Sequence, residues 1–358
     1  MEQAGENPSD SFAMNSLPVG KLPAALLEKL LERHQPTDPR VLVGPRVGED
    51  AALIEFGDRC LVAKTDPITF ATDQLGWYAV QVNANDVACS GAVPRWFLAT
   101  LLLPEAGTTP ELVESLFEQI DSACRELGIS LVGGHTEITW GLDRPIVTGV
   151  MLGEVARDSF VSTSGARPAD RLIVTKGIAI EGTAILVREK ADELAGVLDD
   201  DARVRAEAYL EWISVVADSR LALEAGGVHA LHDPTEGGLA TGLAELASAA
   251  EVGVEIDRDA IPVLPECRVI CDHLGLDPLG LIASGCLLIS ADPDRSEAII
   301  ERLRVARIDA VDIGRVVEES EGCFLAGGNG PVEPLPRFDR DELARLFDRT
   351  GPDAGKRS

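Results

Sequence analysis

The sequence has no apolar run long enough to cross a membrane. Its longest apolar stretches, such as residues 97–103, are the size of a strand, whereas a membrane-spanning helix needs about 18 apolar residues. Residues 1–14 are acidic and polar, unlike a secretory signal peptide, which has a basic start and an apolar centre. We therefore expect a cytoplasmic protein with no membrane partner.

Positive charge is also scarce. The chain has 60 acidic residues against 32 basic ones, which gives a formal net charge of -28. Because nucleic-acid backbones are polyanions that bind basic surfaces, this balance argues against a nucleic-acid partner. A bound nucleotide would need cations to screen it from the protein.

The sequence lacks several well-known site motifs. Its seven cysteines form no paired CxxC clusters, which argues against a zinc site or a disulfide framework. Cys267 and Cys271 have the i,i+4 spacing of one helix face, but small buried thiols explain them better, and we assign no chemistry to the cysteines. There is no GxxxxGK[ST] segment, so a P-loop is excluded. GxSxG and HExxH are absent as well.

With 358 residues, the chain is long enough for two domains, because single cores stop growing at about 250–300 residues. Strand and helix patterns are mixed without strict alternation, which favours a two-domain α+β fold over a doubly wound sheet. We predict a mobile tail at 1–16, an N-terminal domain at 17–156, a C-terminal domain at 157–335 and a polar C-terminal tail at 336–358.

Helix signals are clearest in the first half. Thr109 is predicted to cap a helix that has Pro110 at its first position and Gly128 at its end. Residues 77–91 are predicted to form another helix. In the second half, a long helical stretch is expected from about 202 to 225.

Short acidic patches flanked by glycine or asparagine recur in the first half. They are Gly48-Glu49-Asp50-Ala51, Thr65-Asp66, Asn83-Ala84-Asn85-Asp86 and Gly133-Gly134-His135-Thr136-Glu137. Carboxylates repel phosphate, but they bind Mg²⁺, which bridges to phosphate oxygens. These patches therefore predict a metal-bound polyphosphate. The alternatives are turn chemistry for Asp50 and Asp66 and a helix with one wet face for Asp86.

Three further features are compatible with anion binding. Gly133-Gly134 would allow the backbone to approach a phosphate closely. The segment 233–238 follows a strand and opens a helix, where backbone N–H groups attract anions, although an ordinary helix start explains it too. Lys176 could reach an anion or be a solvated surface lysine. His135 could be a ligand, an acid–base group or a structural histidine.

Taken in order, these segments resemble the superfamily of aminoimidazole ribonucleotide synthetase, thiamine monophosphate kinase, selenophosphate synthetase and hydrogenase maturation factor HypE. The likeness runs from about residue 21 to 317. Within the superfamily, Asp233-Pro234-Thr235 followed by Gly237-Gly238 is most similar to HypE. That family uses ATP to dehydrate a carboxamide to a nitrile.

The resemblance implies a PurM-like fold, with an N-terminal dimerising sheet domain and a C-terminal α/β sandwich domain. It also implies ATP and Mg²⁺ as cofactors, and a homodimer whose N-terminal domains share a sheet structure. The implied metal ligands are Asp50, Asp66 and Asp86. The implied catalytic residues are Asp86, His135 and Glu137. The implied nucleotide contacts are Thr65, Asn83, Asn85, Gly133, Gly134, Thr136, Lys176 and Asp233.

The sequence departs from the HypE pattern at three points. Glu236 replaces the arginine that follows Asp-Pro-Thr in the family, and His135 stands where relatives have an acid. The last cysteine is Cys323, so the C-terminal cysteine on which HypE carries its carboxamide is lacking. The expected function is ATP-dependent phosphoryl transfer to an amide or carboxylate oxygen of a small-molecule or protein-borne acceptor. The alternatives are a thiamine-monophosphate-kinase-like enzyme and a non-catalytic ATP-binding dimeric scaffold.

Overall fold

The computed structural model describes residues 22, 24–46, 48–69, 74–327 and 331–350. The tail predicted at 1–16 lies outside these residues. Two separate mixed sheets, each covered by helices, confirm the α+β prediction. None of the helices in the described ranges is both long and apolar enough to cross a membrane.

The N-terminal half is built on a six-stranded sheet in the order β1-β2-β3-β6-β4-β5. Its pairs are antiparallel except for β4 and β5, which run parallel. Its elements are α1 (Ala24–Glu32), β1 (Val41–Val43), β2 (Ala52–Phe56), β3 (Arg59–Ile68), α2 (Leu75–Cys89), β4 (Val93–Pro104), α3 (Pro110–Leu127), β5 (Ser130–Thr139) and β6 (Ile146–Ala156).

The C-terminal half is built on a seven-stranded sheet in the order β13-β12-β9-β11-β7-β10-β8. Its elements are β7 (Arg171–Thr175), α4 (Ile180–Glu189), α5 (Asp200–Ala208), α6 (Val216–Ala225), β8 (Val228–His232), α7 (Gly238–Ala250), β9 (Val252–Asp257), α8 (Pro265–Leu274), β10 (Leu288–Ala291), α9 (Ser296–Val305), β11 (Ala310–Glu318), β12 (Cys323–Ala326), β13 (Glu333–Pro334) and α10 (Glu342–Thr350).

Helix α2 lies at the seam between the two halves. Fourteen of its fifteen residues are buried, so the alternative of a helix with one wet face is wrong. One end of the seam is held by Asn85, whose side chain donates to the carbonyl of Ile213 and accepts from the N–H of Val215. The hydroxyl of Ser219 donates to the carbonyl of Ala88. Polar groups of α2 therefore contact the C-terminal half directly.

Helix α3 begins and ends as predicted. The Thr109 side chain accepts the N–H of Leu112 at 3.3 Å, and Gly128 ends the helix in the left-handed conformation with φ of 68°. The long helix expected at 202–225 is instead broken into α5, a short 3₁₀ turn and α6. The break occurs where the backbone of Ile213 and Val215 bonds Asn85 across the seam and the carbonyl of Ser214 accepts from Lys176.

Two segments differ from the sequence expectation. Residues 133–137 were expected after a short strand but continue β5 without interruption, because Gly134 allows close pairing with β4: a Cβ there would overlap the carbonyl oxygen of Ala99. The segment expected as a polar C-terminal tail contains α10, whose Leu343 and Leu346 are buried. Their spacing of three residues places both side chains on one helix face.

Candidate functional site

An acidic cluster lies at the seam, where β3, α2 and the end of β8 meet. A lysine that the sequence reading did not select is at its centre: the Lys64 Nζ lies 3.3 Å from Asp66 Oδ2 and 3.1 Å from Asp86 Oδ2. Burial alone would lower the pKa of Lys64, but the charges of Asp86 and Asp66 outweigh it and raise that pKa. Lys64 is therefore a permanent cation between two of the predicted metal ligands.

Asp50 is held from the C-terminal half. His232 lies with Nδ1 2.9 Å from Asp50 Oδ2 and with Nε2 3.1 Å from Glu245 Oε2. Burial would lower the pKa of His232, but Asp50 and Glu245 raise it well above its usual range. With a carboxylate at each ring nitrogen, His232 is a doubly protonated cation. It fixes Asp50 against the end of β8.

The cluster has more negative than positive charge. Among the described residues, four acids of the cluster, Asp50, Asp66, Asp86 and Asp233, lie near two cations, Lys64 and His232. The pKa of Asp233 is raised to about 7, mainly by burial and secondly by the negative charge of Asp50. Burial also raises the pKa of Asp86 well above its usual range, although Lys64 opposes this. Protons or a divalent cation can neutralise the excess.

The cluster fits a hard cation such as Mg²⁺. Carboxylate oxygens are its preferred protein ligands, and Asp233 Oδ2 is buried with no hydrogen-bond partner among the described residues. Asp86 is only 3% exposed, and an acid buried to this degree costs stability unless a cation or hydrogen bonds compensate it. The structure thus brings Asp50, Asp66, Asp86 and Asp233 to one seam.

The polar neighbours of these acids are bonded to backbone. The Asn83 side chain accepts the N–H of Asp66 at 2.9 Å and donates to the carbonyl of Ala79 at 2.8 Å. Thr65 Oγ1 donates to the carbonyl of Gly149 at 2.8 Å. Asn83 therefore holds the strand that presents Asp66, while Asn85 holds the seam as described above.

The residues predicted on β5 lie apart from the cluster within one chain. Strand β5 is three positions away from β3 in the sheet, which corresponds to about 14 Å at the usual strand spacing. His135 and Glu137 lie 3.1 Å apart and are 65% and 50% exposed. Gly133, Gly134 and Thr136 share this exposed edge strand.

Lys176 occupies a structural position beside the seam. Its Nζ donates to the carbonyls of Trp212 and Ser214 at 2.9 and 2.7 Å and lies 3.1 Å from Asp218. These carbonyls belong to the break between α5 and α6. Lys176 therefore stabilises that break.

Two local sequence signals could have identified the missed residues. Lys64 lies two positions before Asp66 on a strand, so both side chains point to the same face. Cys89, whose Sγ lies 3.4 Å from Asp233 Oδ1, comes three positions after Asp86 on a helix, a spacing that places the two side by side. His232 carried no such signal beyond its position next to Asp233.

A second buried acid, Glu181, lies near the loop 233–238. Burial raises its pKa to about 7, although a hydrogen bond with Ser284 opposes this. A raised carboxyl pKa means that the folded state binds the proton more tightly than the unfolded state. Its contribution to stability is therefore complete below about pH 4.5 and is lost as the pH rises through about 7.

We expect Glu181→Gln to remove this pH dependence. Near pH 5, the variant and the parent should have the same free energy of unfolding. At pH 8, the free energy of unfolding of the variant should be higher than that of the parent by up to about 3 kcal/mol. Urea unfolding at the two pH values measures the difference, with the exposed Glu118→Gln on α3 as control. A variant that is less stable than the parent at pH 8 would contradict the assignment.

Two family models match the chain. The model of the AIR synthase related protein N-terminal domain matches residues 48–155, and that of the C-terminal domain matches residues 167–324. The chain is 30% identical to the carbamoyl dehydratase HypE of Escherichia coli over 304 residues, which is 80% of this chain and 87% of that protein. It is also 30% identical to the HypE of Rhizobium leguminosarum bv. viciae over 317 residues, 82% of this chain and 86% of that protein.

The fold of the chain is also similar to solved structures of HypE proteins. A HypE structure in complex with ATP matches with a TM-score of 0.68 and 26% identity, covering 92% of this chain and 98% of that one. The HypE of E. coli matches with a TM-score of 0.69 and 28% identity, covering 87% and 95%. The chain therefore belongs to the AIR synthase related protein family and has the two-domain PurM-like fold of HypE proteins.

Proposed function

We propose that this protein is a HypE-like, ATP- and Mg²⁺-dependent enzyme that transfers the γ-phosphoryl group of ATP to an amide or carboxylate oxygen. The observation that carries the proposal is the acidic cluster at the seam, with four carboxylates against two cations. Relatives named carbamoyl dehydratase and a relative solved with ATP support the same reaction class.

In this proposal, Asp50, Asp66 and Asp86 hold Mg²⁺. The metal, when bound, neutralises charge on the phosphates, and such neutralisation together with positioning supplies most of the catalysis in phosphoryl transfer. Asn83 fixes the backbone of Asp66, and His232 fixes the carboxylate of Asp50. Lys64 pairs with both Asp66 and Asp86 and offsets the repulsion between them.

The acceptor oxygen attacks the γ-phosphorus, and the bond from that phosphorus to the bridging oxygen of ADP breaks. The product is ADP and a phosphorylated amide or carboxylate, in which phosphate becomes the leaving group. We propose an acceptor carried by a separate small molecule or protein.

Calorimetric titration and turnover together test this function. ATP should bind in the presence of Mg²⁺ and weakly or not at all without it, and ADP release should rise when carboxamide or carboxylate acceptors are supplied. Binding without turnover across these acceptors would instead support the ATP-binding scaffold. Turnover with thiamine monophosphate alone would support the kinase alternative. Absence of binding would contradict all three.

We also propose that the active form is a homodimer joined along β5. The strand forms an edge of its sheet and is exposed over nearly its full length, and Ile138 and the following Trp140 are 62% and 85% exposed. An exposed apolar edge strand is a template for pairing with a second chain. Pairing would bring His135, Thr136 and Glu137 of one chain toward the partner molecule.

We expect Ile138→Lys to yield a monomer of 38.0 kDa in sedimentation, because a charge on the paired edge opposes strand addition. Val305→Lys, at an equally exposed position on α9, should leave the dimer intact. A parent protein that is already monomeric, or an Ile138→Lys variant that remains dimeric, would contradict the proposed interface.

A further inference from the structure

The start of α4 packs against the loop that leads into α7. The N–H of Gly182 donates to the carbonyl of Ile282 at 3.1 Å. The next residue, Ala283, donates its N–H to the carbonyl of Thr235 at 3.2 Å. These bonds fix the first turn of α4 beside the loop before α7, which follows directly on the acidic cluster.

Three carboxylates outside the acidic cluster meet at this contact. Glu181 lies in the first turn of α4, Glu236 in the loop before α7 and Asp341 directly before α10. Asp341 Oδ2 accepts the N–H of Gly237 at 2.7 Å. Besides burial, the negative charges of Glu236 and Asp341 raise the pKa of Glu181. The three acids therefore lie close enough to interact.

Glu181 is the buried member of this group. It is 8% exposed, and its Oε2 has no hydrogen-bond partner among the residues that the structure describes. An unpaired buried carboxylate costs stability, and residues that cost stability are characteristic of functional sites. Glu236 and Asp341 are half-buried, so the group reaches solvent through them.

The charge of this group fits a positively charged nitrogen group. The charged groups with the largest effect on the pKa of Glu181 are all acids, and Arg340, which precedes Asp341, pairs with Asp348 on α10. A metal ion fits less well, because in the described part of the chain the only three such ligands within 4.8 Å of one another lie at the seam. An ammonium or guanidinium group reaches further, since it has three or five N–H donors and forms hydrogen bonds of about 2.7–2.9 Å.

We propose that Glu181, Glu236 and Asp341 bind an ammonium or guanidinium group carried by the acceptor of phosphoryl transfer. This inference rests on the proposed function, because it assigns a charge to the acceptor of that reaction. The charged group contacts Oε2 of Glu181, while Glu236 and Asp341 attract it nearer the surface. The amide or carboxylate of the same molecule lies toward the seam, since the loop that carries Glu236 begins at Asp233.

Calorimetric titration of the full-length protein with three amides of similar size tests this site without ATP or Mg²⁺. The cationic amides are 4-aminobutanamide and 4-guanidinobutanamide, and the neutral one is 4-ureidobutanamide. At pH 8, at least one cationic amide should bind the parent at least about tenfold more tightly than the neutral amide, and it identifies the charged group. Glu181→Gln should reduce this preference to less than about twofold, because its side chain carries no charge. Glu118→Gln, at an exposed position on α3, should retain it.

Equal binding of the three amides to the parent, or no binding of either cationic amide, overturns the proposal without any variant. A Glu181→Gln variant that retains the preference also overturns it, because the negative charge of the whole protein would then be the cause. ADP release with ATP and Mg²⁺ is measured separately. Cationic amides that bind without raising ADP release contradict the proposed reaction but not the site. Neutral amides that raise it as much as cationic ones contradict the site but not the reaction.

Discussion

Replacing Asp86 with Asn is expected to weaken Mg²⁺-dependent ATP binding by at least about 100-fold, the equivalent of about 3 kcal/mol. Asp86 is buried, its pKa is raised by burial, and its main compensating cation in the structure is Lys64. The amide is nearly isosteric but carries no charge, so it cannot contribute to binding a divalent cation. Calorimetric titration of ATP with and without Mg²⁺ measures the loss.

The matched control for this prediction is Asp121→Asn on α3. Asp121 is half-exposed and pairs with Arg125 one helical turn away, so its loss should change ATP binding by less than about twofold. Binding that is unchanged in Asp86→Asn, with the fold intact by circular dichroism, would exclude Asp86 as a metal ligand. Weaker binding in both variants would point to a general charge effect.

The sequence predicted those parts of the fold that depend on local chemistry. Helix α3 has its N-cap at Thr109 and its end at Gly128, and both signals act within one helical turn. The prediction of one continuous helix at 202–225 was wrong because the helix is interrupted where its backbone bonds Asn85 and Lys176. Both residues lie far away in the chain. No pattern within the segment shows that its backbone bonds these distant side chains, one of them across the domain seam.

The distinction between local signals and contacts of distant residues also explains which site residues the sequence predicted. Asp50, Asp66, Asp86 and Asp233 lie in short motifs, and the structure brings all four to the seam. Lys64, His232 and Cys89 are placed in the cluster by contacts with residues from other elements. Conversely, Gly134 was interpreted as an anion-binding position, whereas the structure shows that it permits close approach of β5 to β4.

Lys64→Met is expected to lower the free energy of unfolding by about 3 kcal/mol in the absence of Mg²⁺. Removing one partner of a buried ion pair leaves an uncompensated charge, which costs roughly 3–5 kcal/mol, and Asp86 can recover part of this by taking up a proton. The Lys64 side chain is 19% exposed and pairs with two acids, so solvent cannot replace it fully. Urea unfolding measures the loss.

Magnesium should restore most of the stability lost in Lys64→Met. A divalent cation bound to the folded state alone stabilises it by RT ln(1 + [L]/Kd), and removal of Lys64 increases the negative charge that attracts the ion. Lys190→Met is the matched control, because Lys190 is also largely buried but pairs with Glu193 on the protein surface. Mg²⁺ should stabilise Lys190→Met only as much as it stabilises the parent, so that the deficit of this variant remains. Equal stabilisation of Lys64→Met and Lys190→Met by Mg²⁺ would mean that removing Lys64 does not strengthen ion binding, and the absence of any stabilisation of the parent would mean that the acidic cluster is a structural network that Lys64 and His232 hold together.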